Sequence, residues 1–191
     1  MRSALAIAVA CLMTATASAE SESAPTWVAE ARSSAAELGS QLQHALQTAI
    51  RNGGPVAGIE VCKRQAPAIA ADVSSGRVEV GRTALKLRNP DNRPDAWERR
   101  VLQDFERRIA SGEAPGEIET FAVRTQGDRR VGHWMKAIPT QGVCTVCHGQ
   151  TIAPNVAEAI DAAYPDDQAR GFAEGDLRGA FSVRVELGED G

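Results

Sequence analysis

The chain has 191 residues, with 21 Lys and Arg against 25 Asp and Glu, a formal net charge of −4. That modest acidity argues against a nucleic-acid surface, and beyond the N-terminus no stretch is long and apolar enough to span a membrane. Aromatic residues make up only 4% of the chain, so its helices must pack largely through Ala and Leu.

Arg2 gives a short basic start, "ALAIAVACLM" is an apolar run too short for a bilayer, and "ASA" at 17–19 suits cleavage by a signal peptidase. Residues 1–19 therefore read as a signal peptide exporting the chain to a periplasm, and residues 20–191 as one domain. Cys11, in "AVAC", offers the alternative of a lipid anchor. Against it count the few apolar residues before that cysteine and the missing leucine. If Cys11 leaves with the signal, Cys62, Cys144 and Cys147 remain. Three is an odd number for an oxidising compartment, so one thiol needs a role.

Ala31, Ala35, Leu38, Leu42, Leu46 and Ala49 recur at three- and four-residue steps and predict a long amphipathic helix. Thr26 is placed to cap it and Gly53 to end it in the left-handed conformation. Pro55 suits the first turn of a second helix. There Ile59, Cys62, Ala66 and Ile69 form one apolar stripe, which points Cys62 to the buried side. Pro67 has no N–H for the carbonyl of Lys63, so a kink is expected there, with helix resuming through Ala71 and stopping near 74–76.

"RVEVGRTALKLR" reads as extended, with a one-residue slip at Gly81, a bulge or a short break, to explain why its apolar parity switches between Val78/Val80 and Leu85/Leu87. "NPDNRP" is turn chemistry. Trp97, Val101, Phe105 and Ile109 predict a helix that ends at Ser111–Gly112. "EIETFAVRT" and "RRVGHWMKAI" predict a hairpin turning at 126–128. A short helix over 155–163 and a turn-rich stretch over 165–175 precede a final strand. In that strand Phe181, Val183, Val185 and Leu187 face one way and Ser182, Arg184 and Glu186 face water. Strands joined by hairpins, with helices on one side, indicate an α+β domain around an antiparallel sheet.

"CTVCHG" carries the chemistry. In Cys144-x-x-Cys147-His148 two thiols at this spacing can add to the two vinyl groups of haem, and the adjacent histidine becomes the proximal iron ligand. Export suits this, because such haem is attached outside the cytoplasm. A thioredoxin-like pair would open a helix in a βαβ unit, a zinc site would need a second ligand cluster, and a disulfide would leave His148 without a role. The cofactor expected is one covalent haem c. The second axial position is either open or filled by Cys62, His44, His133 or Met135. The spacing alone leaves this open: Met135 also suits strand core, His133 a solvated strand position, His44 an exposed helix flank and Cys62 a small buried hydrophobe.

"RTALKLRNPDNRPDAWE" at 82–98, "CTVCHG" at 144–149 and "GFAEGDLRGAFSV" at 171–183, in this order, resemble a family of exported c-type haem domains with a PAS-like fold. The resemblance implies a PAS-like antiparallel sheet with the N-terminal helices packed on it. It also implies that Cys62, in "GIEVCKRQAP", is the iron ligand opposite His148. Ala84 stands where that pattern leads us to expect a small hydroxyl residue. The family is linked to redox or gas sensing, so the expected function is a non-catalytic, periplasmic sensor module that responds to redox state or to a small gas. The alternative is a low-potential electron-transfer cytochrome with a redox partner protein. Thiolate ligation favours ferric iron and so a low potential. Filling both axial positions argues against an oxidase or peroxidase, and a haem enzyme with an open distal site is the remaining enzymatic option. Arg82, Lys86 and Arg88 are candidate partners for the haem propionates, although alternating charges are more often solvated.

Overall fold

The computed structural model describes residues 24–188; the segment 1–19 expected to be a signal peptide, with Cys11, lies outside them. Helix α1 (Thr26–Glu60) is interrupted at Gly54, where φ is 72°, one residue beyond the expected stop at Gly53. Only glycine takes that left-handed backbone without strain, and Pro55 restarts the helix directly. Thr26 does not cap it: Pro25 occupies that place with no side-chain bond.

The spiral then widens into one π-turn, Val61–Gln65, before α2 (Ala66–Val73). The Ala66 N–H reaches back five residues to the Val61 carbonyl. Pro67, which cannot donate to Lys63, explains why the regular ladder fails here. Cys62 is thus carried on a bulged turn rather than on a regular helix.

Four strands form one antiparallel sheet in the order β1-β4-β3-β2. They are β1 (Val78–Thr83), β2 (Glu119–Gln126), β3 (Arg129–Pro139) and β4 (Leu177–Leu187). The β2–β3 hairpin turns at Gly127, φ 60°, as predicted. The expected slip at Gly81 is not there. β1 pairs continuously with β4 from Val78↔Val185 to Thr83↔Ala180. The parity switch marks the end of the strand at Thr83, after which Leu85 packs into a different cluster.

The architecture is the α+β, PAS-like one expected, with one correction: helices cover both faces of the sheet. On one face α1 and α2 bury Trp27, Val28, Ala31, Leu38 and Val73 against Val78, Val80, Trp134, Val183 and Val185. The alternate residues of the same strands, Met135, Ala137 and Ala180, pack against Val101, Leu102 and Phe105 of α3 (Ala96–Ala110). α3 begins with a reciprocal capping box. Asp95 accepts from the Trp97 and Glu98 amides, and Glu98 accepts from the Asp95 amide.

Because α3 lies there, Ser182 is buried and Arg184 half-buried, while Glu186 faces water as expected, and His133 is fully buried rather than solvated. Arg124 Nη1 donates to His133 Nδ1 (2.8 Å), His133 Nε2 to Ser182 Oγ (2.8 Å), and Ser182 to Glu98 Oε1 (2.7 Å). A guanidinium only donates, so Nδ1 must accept, and burial keeps the ring neutral by lowering its pKa. Burial alone would raise the Glu98 pKa. The approach of His133 Nε2 to 3.5 Å, the bonds from the Asp95 amide and Ser182, and the charge of Arg184 outweigh that and hold it ionised.

Candidate cofactor site

Beyond β3 the chain is pinned by Thr140, whose N–H donates to Asp176 (2.8 Å) and whose carbonyl accepts from Gly175 (2.9 Å). A 3₁₀ turn, Gly142–Cys144, leads into the single helical turn α4 (Thr145–His148). Gly149 closes it by donating to Thr145 O (2.8 Å). A Cβ at 149 would lie 2.4 Å from that same oxygen, so the glycine after the histidine is a steric requirement.

The segment between α5 (Pro154–Ala163) and β4 clasps α4 from outside. Phe172 N–H donates to His148 O and Gly171 N–H to Gly149 O, both at 3.0 Å. The His148 Nδ1–H donates to the Ala169 carbonyl at 2.7 Å. This fixes the tautomer and leaves the Nε2 lone pair free, with no hydrogen-bond partner among the described residues. Burial, reinforced by Arg178 and Arg88, pushes the imidazole pKa down to about 3, so the ring is neutral and able to ligate.

Arg88 holds this clasp together. Its side chain is 8% exposed and its Asp167 partner 2% exposed, at 2.9 Å. The same guanidinium donates to Cys147 O (2.7 Å) and Ala169 O (3.2 Å). Against the opposing effect of burial, bonds from Arg88 and Arg170 bring the Asp167 pKa down to about 2. Arg88, a candidate propionate partner in the sequence, is therefore already committed to Asp167. Lys86 is exposed and lies over the Phe172 ring at 5.0 Å. The structural part played by Asp167 and Ala169 had no sequence signal beyond their turn-rich setting.

A cavity of about 770 Å³ opens between α1, the π-turn, the sheet and the turn before α4, a size that suits a cofactor. Cys62 and Cys144 both line it, with Leu42, Leu46, Val61, Trp134, Phe181 and Val143 as apolar walls. Gly39 faces it too; a Cβ there would approach the Phe181 ring to 3.0 Å. Cys147 packs beside the cluster of Ile59, Val156, Ile160 and Tyr164. The three thiols are free, with no disulfide among the described residues. Cys62 feels the charge of Cys144, and Cys147 that of both Cys62 and Cys144. Burial raises the Cys62 thiol pKa, opposed by the charges of Arg82, Arg88 and Arg178.

The other candidate axial ligands are elsewhere. His44 is exposed on α1. Met135 and His133 are buried on the α3 face, behind the sheet. No group of three or more His, Cys, Asp or Glu among the described residues is placed to hold a bare metal ion. Ala84 is buried, and beside it Thr83 Oγ1 supplies a hydroxyl, donating to Asn92 O at 3.1 Å.

The fold and site define an α+β domain in which Cys144, the first residue of the Cys-x-x-Cys-His turn, and the distant Cys62 line one apolar cavity, with Cys147 and His148 outside its lining. A family model described as Tll0287-like matches residues 10–186, and the chain belongs to that family. Among solved structures it is similar to the cyanobacterial heme-protein Tll0287, at 27% identity and a TM-score of 0.58, covering 86% of this chain and 98% of that one. None of the curated proteins matches. No helix among the described residues is long and apolar enough to cross a membrane.

Proposed function

We propose that this is an exported haem protein. In this reading Cys144 and Cys147 carry one haem c through thioether bonds, His148 and Cys62 are the axial ligands, and the domain acts as a redox- or gas-responsive sensor module. Haem binding is supported by membership of the family and by the similarity to a heme-protein. The ligand assignment is carried by one observation: Cys62 and Cys144 line the same apolar cavity while His148 Nε2 is left free by the Ala169 bond. Export is supported by the order of charge, apolar run and small residues over 1–19.

Bound haem supplies a one-electron Fe(III)/Fe(II) couple whose potential its axial ligands and surroundings set. The chain's own part is to orient and to exclude water. Ala169 aims the imidazole, and Arg88 and Asp167 lock the turn that carries it. The π-turn presents the Cys62 sulfur from the helical side of the cavity. π-turns recur at functional sites, and a ligand on one makes α2 a segment whose position depends on that bond, as a sensor requires.

The electron-transfer alternative has an observation of its own. Val143 and Val146, beside the two attachment cysteines, are 45% and 41% exposed. They form a small apolar contact point for a redox partner.

The test is to express the chain in cells competent in cytochrome maturation. The pigment should survive denaturing electrophoresis with haem staining, and Cys144→Ser/Cys147→Ser should abolish the stained band. The ferric protein should show low-spin thiolate features in its absorption and paramagnetic resonance spectra, lost in Cys62→Ser. Spectra unchanged by that substitution would refute the thiolate, and a colourless wild-type protein would refute the whole reading. Fast reduction by a periplasmic donor would favour electron transfer over sensing.

A further inference from the structure

Most buried arginines of this domain have a carboxylate: Arg88 has Asp167, Arg184 has Glu98, and Arg124 has Asp95. Arg82 does not. It stands in β1 opposite Phe181, on the α1 face of the sheet, and lines the cavity beside Cys62. The residue is half-buried, on the wall of the cavity. Among the described residues it makes no ion pair or hydrogen bond, and the groups that favour its charged form are Cys62 and Tyr164. Burial accordingly holds it below the ordinary arginine range.

A cation partly withdrawn from water with no carboxylate beside it favours an anion that meets it there. The carboxylates on the cavity wall do not fill that role: Glu119 belongs to the Arg32 pair at the same cavity's rim. The counter-charge must therefore come with whatever occupies the cavity. A guanidinium offers two parallel N–H donors that match a carboxylate in geometry and charge.

We propose that Arg82 is the carboxylate-binding residue of this cavity, pairing with one of the two propionates of the haem. This rests on the haem reading above and goes beyond it by assigning the cavity's polar end. Arg82 is a binding and positioning residue, with no part in covalent attachment.

Arg178 supplies the control. It carries the same charge, also acts on Cys62, and also lacks a carboxylate; burial lowers its pKa to about 10. But it lines a different hollow, of about 380 Å³, where it lies against Phe172 and gives one long bond, 3.4 Å, to Lys86 O. Removing either cation from the pigmented protein should lower the midpoint potential, because less positive charge near iron favours the ferric state. Only Arg82→Gln should also shift the propionate bending band in the resonance Raman spectrum. It should also make the potential pH-dependent, falling as pH rises, because the unpaired propionate then takes up a proton more readily when iron is reduced. If Arg82→Gln accumulates no pigmented protein, Arg82→Lys keeps the charge and loses the fork, and should shift the band with little change in potential. An unshifted band in the Arg82 variant, with a potential that merely tracks Arg178→Gln, overturns the inference while leaving the haem reading intact. A colourless wild-type protein overturns the haem reading instead.

Discussion

On the α3 face of the sheet, Leu102, Phe105, Ile118 and Met135 are fully buried, and the polar atoms among them are joined in one bonded chain from Arg124 to Glu98. On the α1 face, packing is just as complete around Trp27, Leu38 and Trp134, but beyond Leu38 it gives way to a cavity of about 770 Å³. The same four strands support both. The α3 face has only a smaller hollow, about 380 Å³, beside Leu102 and Ile109, and is otherwise filled, as protein interiors are.

The largest expected effect lies on the filled face. Phe105→Ala should cost about 3–5 kcal/mol, the usual penalty for truncating a buried aromatic residue, read as a lower midpoint in urea. Glu98→Ala removes the acceptor of Ser182 and Arg184 together with half of the capping box. Stranding a buried charge partner should cost roughly 3 kcal/mol; a loss below ~1 kcal/mol would mean that the polar chain is replaced by water.

Acid tests the clasp around α4. The Asp167 pKa is depressed, to about 2 when folded, so its contribution is present above the unfolded carboxylate value near ~4 and is lost as pH falls toward 2. That window should carry roughly 2 kcal/mol, absent in Asp167→Asn and visible in acid unfolding followed by circular dichroism. Smallest should be Phe181→Ala, whose ring already borders the hollow. We expect about 1 kcal/mol in pigment-free protein, with a shift of the absorption bands in the pigmented form. Equal losses for Phe105→Ala and Phe181→Ala would erase the distinction between the faces.

What the sequence revealed follows from how local each signal is. The Cys-x-x-Cys-His motif, the hairpin at 126–128 and the end of α3 at Ser111–Gly112 depend on neighbours a few residues apart, and were legible. The burial of His133 was not: alternation in a strand tells which residues share a face, and only the distant α3 decides whether that face is covered. Arg88 finds Asp167 across 79 positions, so nothing near either residue announces the pair. The change of parity after Val80 was visible but misread as a slip at Gly81, because a strand that simply ends leaves the same trace. Cys62 was placed on the right stripe of the right helix, but the widened turn beneath it was anticipated only as a kink.

That turn carries the sulfur. Pro67 can never return a hydrogen bond to Lys63, so the extra residue cannot be ironed out by sliding the spiral back into its ordinary register. The swelling is written into the covalent chain: the spiral keeps a permanent hinge beneath position 62, at which α2 can swing while α1 stays packed on the sheet.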